Sequence, residues 1–194
     1  MNKFLLVLAV LLLSACTSVP LSTMWKLRSS SPLETPAQDL SVAIRSPKLI
    51  DLRSAKTALD FGYQWSGSAS DKVVENFDLV LSPSNLLPES VGRDLESNEQ
   101  VHILRLAKSD HTRFSQAQHK IKQLKKTHPD GKGWFSVGLS AFCLKSRTEP
   151  EELLVNIYLQ TEKLGEYLHL IRNLNVSKEL EWNQATCKEP SVSI

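Results

Sequence analysis

Apolar and polar residues alternate with a period of two in several short stretches after residue 39, which predicts strands with one buried face. The predicted buried positions, strand by strand, are Leu40, Val42 and Ile44; Leu59, Phe61, Tyr63 and Trp65; Phe77, Leu79 and Leu81; and Val155, Ile157 and Leu159. A further short apolar strand holds Val101, Ile103 and Leu106. No unit recurs at a fixed period, which argues against a propeller or a solenoid.

The spacing changes to three and four residues in the middle of the chain, and this predicts an amphipathic helix from about 110 to 127. Its apolar stripe consists of Phe114, Ala117, Ile121 and Leu124. The sequence His128-Pro129-Asp130-Gly131 ends the helix, because proline disfavours helical backbone before itself and Asp-Gly is typical of turns.

Beyond this turn, alternation predicts one long strand with a bulge near Ser136, where the alternation slips. The apolar positions of that strand are Trp134, Val137, Leu139, Ala141 and Cys143. Residues 167–176 fit either a strand or a helix. We predict a strand that returns antiparallel across a turn at residues 162–166.

Strands, one embedded helix and further strands together predict an α+β fold. We expect a mainly antiparallel β-sheet with the helix packed on it. The alternative is a β-sandwich with a surface helix.

The N-terminus has a different character. Lys3 precedes an uninterrupted apolar run at residues 4–13, which has the length of a signal-peptide core and is too short to span a bilayer. The run closes with Leu13-Ser14-Ala15-Cys16, which resembles the lipobox of bacterial lipoproteins. The resemblance implies cleavage before Cys16 and acyl chains on that cysteine. An ordinary signal peptide followed by a cysteine is the alternative.

The same resemblance gives a location and a division of the chain. An Asp after the lipidated cysteine tends to retain enteric lipoproteins in the inner membrane, and Thr17 stands there instead. This implies an outer-membrane lipoprotein on the periplasmic side. We therefore expect a cleaved signal peptide at 1–15, a Ser/Pro-rich tether at 16–38 and a single periplasmic domain at 39–194. Within the tether, residues 24–28 place a Trp beside two basic residues, which a plain tether does not need. We predict an edge strand there, and docking at the lipid interface is the alternative.

With Cys16 used for lipid, Cys143 and Cys187 are the remaining cysteines in an oxidising compartment, and we predict a disulfide between them. A loop of about 45 residues closed in this way stabilises the fold by roughly 4 kcal/mol on the chain-entropy model. Two buried free thiols are the alternative.

The sequence contains no motif that marks a catalytic residue, a metal site or a cofactor site. HExxH and GxSxG are absent, and none of the five histidines lies three or four residues from another. The carboxylates at Glu149, Glu151 and Glu152 have the setting of a solvated loop. We therefore expect a protein that is not an enzyme.

Charge is concentrated in one part of the chain. Residues 101–132 contain eight basic and two acidic residues, a net charge of +6 in a chain whose total is +2. On the helix, the candidate anion-binding or partner-binding residues are Arg113, Lys120, Lys122, Lys125 and Lys126. A solvated helix exterior is the alternative. A periplasmic location excludes nucleic acid as a partner.

Together these features predict a lipid-anchored, non-enzymatic envelope accessory that binds a protein partner or an envelope polymer. One alternative is a carrier or sensor of an amphiphile, held between the sheet and the helix. A periplasmic hydrolase whose site is assembled by the fold is a further alternative.

Overall fold

The structure, a computed structural model, describes residues 32–52, 56–65, 71–83, 86–140, 142–145, 152–177 and 187. The strands in these ranges are β1 Ser41–Pro47, β2 Ile50–Asp51, β3 Lys56–Gln64, β4 Lys72–Leu81, β5 Glu99–Leu106, β6 Lys132–Ser140, β7 Cys143–Leu144, β8 Leu154–Gln160 and β9 Leu168–Asn175. The helices there are α1 Glu89–Gly92 and α2 His111–Thr127. Seven of these strands form one sheet in the order β6-β3-β4-β5-β1-β8-β9, and every neighbouring pair is antiparallel.

The short strands β2 and β7 pair with each other outside the main sheet. The fold is therefore α+β and mainly antiparallel, as the order of elements predicts. A single large sheet with a helix across it takes the place of the two facing sheets of a sandwich.

Helix α2 packs on one face of the sheet, which we call the front. Phe114, Ala117 and Ile121 are buried, as their spacing predicts. The rings of Phe61 and Phe77 stack at 5.4 Å, and the ring of Phe114 meets both edge-on at 5.1 and 5.3 Å. These are favourable ring geometries, and each fully buried phenylalanine contributes about 1.5–3 kcal/mol of transfer free energy. The aromatic cluster therefore fixes the helix on the sheet.

Arg113 reinforces the same contact from the edge of α2. Its guanidinium lies 3.8 Å from the centre of the Phe77 ring and forms ion pairs with Glu75 at 3.2 Å and Asp110 at 3.4 Å. It also donates a hydrogen bond to the backbone oxygen of Asn76. Strand β4 pairs with β5 only through residues 79–81, so Arg113 binds a carbonyl that lies beyond this pairing.

The opposite face, the back, carries a smaller apolar cluster. Ala43, Val91, Tyr158 and Tyr167 are buried there, and Val101 and Ile103 pack against them. The hydroxyls of Tyr167 and Ser41 are 2.7 Å apart. Strand β1 is consequently buried on both faces, and α1 covers part of the back through Val91.

Strand β5 divides its apolar residues between the two faces. Leu104 and Leu106 belong to the front core, whereas Val101 and Ile103 face the back. Leu81, expected on a buried face, is 38% exposed at the end of β4.

The prediction of one long strand from Trp134 to Cys143 is wrong. Strand β6 ends at Ser140, and β7 pairs with β2 through Leu144–Ile50 and Cys143–Asp51. The bulge predicted near Ser136 is also absent, because β6 pairs with β3 in unbroken register. Ala141 lies outside the described residues.

The hairpin of β8 and β9 confirms the strand predicted for residues 167–176. Thr161 accepts a hydrogen bond from the backbone N–H of Leu164, and Gly165 ends the turn with a φ of 67°, which glycine adopts without strain. Strand β9 then shifts register twice against β8.

The described chain begins with two 3-10 turns, Pro32–Glu34 and Ala37–Asp39, that lie against the front. Ala37 is buried, and Gln118 of α2 donates a hydrogen bond to the backbone oxygen of Thr35 at 2.7 Å. Contacts with the core thus extend into the last part of the predicted tether. Cys16 and residues 24–28 lie outside the described residues.

Cys143 and Cys187 form a disulfide with an S–S distance of 2.03 Å, as predicted. The backbone N–H of Cys187 also donates to the carbonyl of Leu144 at 2.9 Å. Two bonds, one covalent and one hydrogen bond, thereby hold Cys187 against β7.

Candidate functional site

The lysines predicted as an anion-binding face are dispersed around α2. Lys122 and Lys126 lie one turn apart on one side, while Lys120 and Lys125 flank the buried stripe from opposite sides, as helical spacing requires. All four are exposed, and none forms an ion pair with the described part of the chain. Arg113 forms ion pairs with Glu75 and Asp110. Because the four lysines lie on different sides of α2 and Arg113 is already paired, these cations do not form one anion-binding site.

The residues that do converge lie on the back of the sheet, in a cleft of about 710 Å³. Strands β1, β8 and β9 form its floor, and the segment from α1 to the start of β5 forms one wall. Its lining includes the side chains of Arg45, Glu99, Asn156, Tyr158, His169 and Arg172. Convergent polar and aromatic groups in a concave surface are typical of a binding site.

Arg45 and Glu99 form the central ion pair of the cleft. The Nε of Arg45 donates to Glu99 at 2.8 Å, a second guanidinium nitrogen bonds the same oxygen, and Arg45 also donates to the carbonyl of Asp94. The two side chains are only 14% and 16% exposed. Burial alone raises the pKa of Glu99, but hydrogen bonds from Arg45 and the Glu96 N–H, with the arginine charge, hold the pKa below its ordinary value.

Because the pKa of Glu99 is lowered in the folded protein, part of the free energy of unfolding depends on pH. Because the folded-state pKa of Glu99 is lowered, its contribution is present above the ordinary pKa of about 4.3 and disappears as the pH falls through the folded-state pKa. We expect Glu99→Gln to lower the free energy of unfolding by about 1–3 kcal/mol at pH 7. Denaturant unfolding at several pH values measures this, and the difference from wild type should shrink below about pH 4.

Glu96→Gln is the matched control, because Glu96 is an exposed carboxylate on the same wall. Equal losses of unfolding free energy for Glu99→Gln and Glu96→Gln at pH 7 contradict a stabilising role for the ion pair of Arg45 and Glu99.

Tyr158 and His169 form the aromatic floor of the cleft, with ring centres 4.2 Å apart. Burial raises the pKa of Tyr158. Burial also lowers the pKa of His169, and the positive charges of Arg172 and Arg45 lower it further. The imidazole is therefore neutral at pH 7, since its ordinary pKa is already about 6.5.

The irregular register of β9 places Arg172 on the same face as His169. His169 stands opposite Tyr158 and Ile171 stands opposite the buried Ile157, so the strand gains one residue between these pairs. Regular alternation puts residues 169 and 172 on opposite faces, and the bulge reverses this.

A second shift follows at Asn173, which has a φ of 50°. Its backbone N–H donates to the side-chain oxygen of Asn156 at 3.1 Å. Positive φ is uncommon for residues other than glycine, and asparagine is among those that tolerate it. The edge of the cleft is thus held in an irregular conformation by a residue of the cleft itself.

The sequence motifs point to none of these residues. One signal was available: Val42-Ala43-Ile44 is an unbroken apolar run, which is typical of a strand buried on both faces. The charged Arg45 follows directly, at the end of the buried run.

The donors and acceptors of the cleft suit recognition of a polar ligand. Within the described ranges, no group of three or more His, Cys, Asp or Glu side chains is placed to hold a metal ion. No helix in the same part of the chain has the length and apolar character needed to cross a membrane. Comparison with protein-family models, with curated proteins and with solved structures finds nothing that matches this chain.

Proposed function

We propose that this protein is a lipoprotein of the outer membrane that binds an envelope protein or an envelope polymer in the cleft on the back of its sheet. The lipobox resemblance at Leu13 to Cys16 supports the anchor and the periplasmic side. The Cys143–Cys187 disulfide fits the oxidising environment of that compartment.

The cleft is the observation that carries the binding function. Its charged and aromatic side chains come from β1, β5, β8 and β9, and its central ion pair is preorganised before any ligand enters. Preorganised polar groups lose little conformational entropy on binding, which favours affinity. The role is recognition, with no chemical step.

The alternative of an amphiphile held between α2 and the sheet has less support. Phe61, Phe77 and Phe114 pack directly against one another in that interface, so side chains occupy the space that a ligand needs.

The anchor is tested by metabolic labelling with palmitate. We expect the wild-type chain to incorporate the label and to fractionate with the outer membrane, because several acyl chains hold a protein firmly at a bilayer. We expect Cys16→Ala to lose the label and to leave the membrane fraction. Labelling that persists in the variant contradicts the assignment of Cys16.

The binding function is tested by crosslinking in cells, followed by affinity purification of the detergent-solubilised full chain. Arg172→Glu reverses a charge in the cleft, and Lys122→Glu makes the same change on α2 as the matched control. We expect one specific protein or polymer to be recovered with wild type and Lys122→Glu, and its recovery to fall about tenfold with Arg172→Glu. Recovery that depends on Lys122 instead, or no specific recovery with wild type, contradicts the proposal.

A further inference from the structure

Two arginines place positive charge beside the aromatic pair of the cleft. Arg172 and Arg45 both interact electrostatically with His169 and with Tyr158. Arg45 is neutralised by Glu99, whereas Arg172 is exposed and forms no ion pair within the described ranges. Arg172 is therefore the cation available to an incoming anion.

His169 supplies a directed donor beside that charge. Its Nδ1 is buried and has no hydrogen-bond partner in the described part of the chain, so Nε2 is the nitrogen left to face the cleft. A buried N–H without an acceptor is costly, and the neutral ring avoids it by carrying its proton on Nε2. An arginine and a neutral N–H donor on one face form a site for a carboxylate.

The rim of the cleft has the opposite charge. Asp94, Glu96 and Glu152 are exposed there and form no ion pairs within the described ranges. A ligand that carries a carboxylate and an amine complements both regions, and a short peptide has this combination of charges. A simple sugar acid has only the first group.

We propose that the cleft binds a peptide segment, with a carboxylate of the peptide on Arg172 and His169 and an amine of the peptide at the acidic rim. This inference rests on the proposed function and names the chemistry of the ligand for the same cleft. Asn156 and Asn173 also line the cleft and offer side-chain amides to the peptide backbone.

Binding of the carboxylate raises the pKa of His169, because a nearby negative charge favours the protonated imidazole. The charged groups that act on this ring are Arg172 from β9 and Arg45 from β1. The ring of Tyr158 from β8 lies 4.2 Å from it, and Glu99 from β5 pairs with Arg45. Arg93 and Asp94 line the wall directly after α1. The residues of α1 that line the cleft, Ser90 and Val91, carry no charge. Affinity therefore increases as the pH falls, at most tenfold per pH unit between the free and bound pKa values.

The experiment is an NMR titration of the full chain in detergent micelles, followed through the imidazole of His169. The probes are tri-alanine, tri-alanine amide, N-acetyl-tri-alanine and glucuronate. We expect tri-alanine to raise the pKa of His169, the amide to leave it unchanged, and the acetylated peptide to bind about threefold more weakly, since exposed charge pairs contribute modestly.

Arg172→Gln separates a binding role from a structural one. We expect this variant to raise the pKa of His169 in the free protein, because a neighbouring positive charge is lost, and to weaken tri-alanine binding about fivefold. Arg93→Gln is the matched control, since Arg93 lines the same cleft and pairs with Glu89. Arg93→Gln should change neither the pKa of His169 nor the affinity for tri-alanine.

Equal binding of tri-alanine and its amide, or tighter binding of glucuronate than of tri-alanine, overturns the inference. Failure of the proposed function is distinguishable from this outcome. If tri-alanine binds as expected while cells yield no specific partner, the peptide site stands and the envelope-partner function is wrong. If cells yield a cleft-dependent partner while tri-alanine leaves His169 unchanged, the peptide site is wrong.

Discussion

Phe114→Ala is expected to lower the free energy of unfolding by about 3–5 kcal/mol, one of the two largest effects that we predict. The ring is fully buried and meets both Phe61 and Phe77, so its removal leaves a cavity among rings that cannot close around it. Since a domain of this kind is stable by about 5–15 kcal/mol, the loss takes much of the total. Urea unfolding followed by circular dichroism measures it.

Gln116→Ala is the matched control for this experiment, because Gln116 lies on the exposed side of the same helix. It should change the free energy of unfolding by less than about 0.5 kcal/mol. A decrease in the free energy of unfolding below about 1 kcal/mol for Phe114→Ala contradicts the packing of α2 against Phe61 and Phe77.

Cys187→Ser is expected to lower the free energy of unfolding by about 2–4 kcal/mol, because it opens a loop that spans 44 positions of the chain. Closing a loop of this length restricts the unfolded chain, so most of the effect arises in the unfolded state. Urea unfolding with and without reductant measures it.

The reductant supplies the internal control. It should lower the unfolding midpoint of the wild type to about that of the variant, and it should leave the double variant Cys143→Ser and Cys187→Ser unchanged. A wild-type midpoint that does not respond to reductant contradicts the disulfide.

The spacing of apolar residues predicted those helices and strands that have one face in the core and the other face in a more polar environment. Helix α2 has one face on the aromatic cluster and one in solvent, so its spacing of three and four is plain in the sequence. Strand β8 alternates because Val155, Ile157 and Leu159 enter the front core. The pairing of Cys143 with Cys187 followed from counting cysteines under the oxidising conditions that the lipobox resemblance implies.

The error at β6 and β7 has a physical reason. The prediction continued the alternation of β6, in which Val137 is buried, through to Cys143. In the structure Phe142 and Leu144 are buried instead, so the phase of burial changes where the chain changes partner from β3 to β2. Alternation read from one sequence does not show which strand a segment pairs with.

The cleft could not be predicted from the sequence for a related reason. Arg45, Asn156 and Arg172 are polar residues that alternate with the apolar front positions, and such residues are expected to face solvent. Arg45 and Glu99 meet because β1 and β5 are paired, and Arg172 joins His169 because β9 gains a residue. Strand order and bulges depend on contacts across the whole sheet, so one sequence does not display them.

The bulges of β9 have a consequence for the behaviour of the protein at high local concentration. Strand β9 lies at one end of the sheet, and a long, straight strand in that position is a template on which a second molecule adds its own strand. Two register shifts and the left-handed Asn173 interrupt the row of hydrogen-bonding groups that such a template needs. The irregularity that forms the cleft thus also disfavours edge-to-edge aggregation at the β9 edge of the sheet.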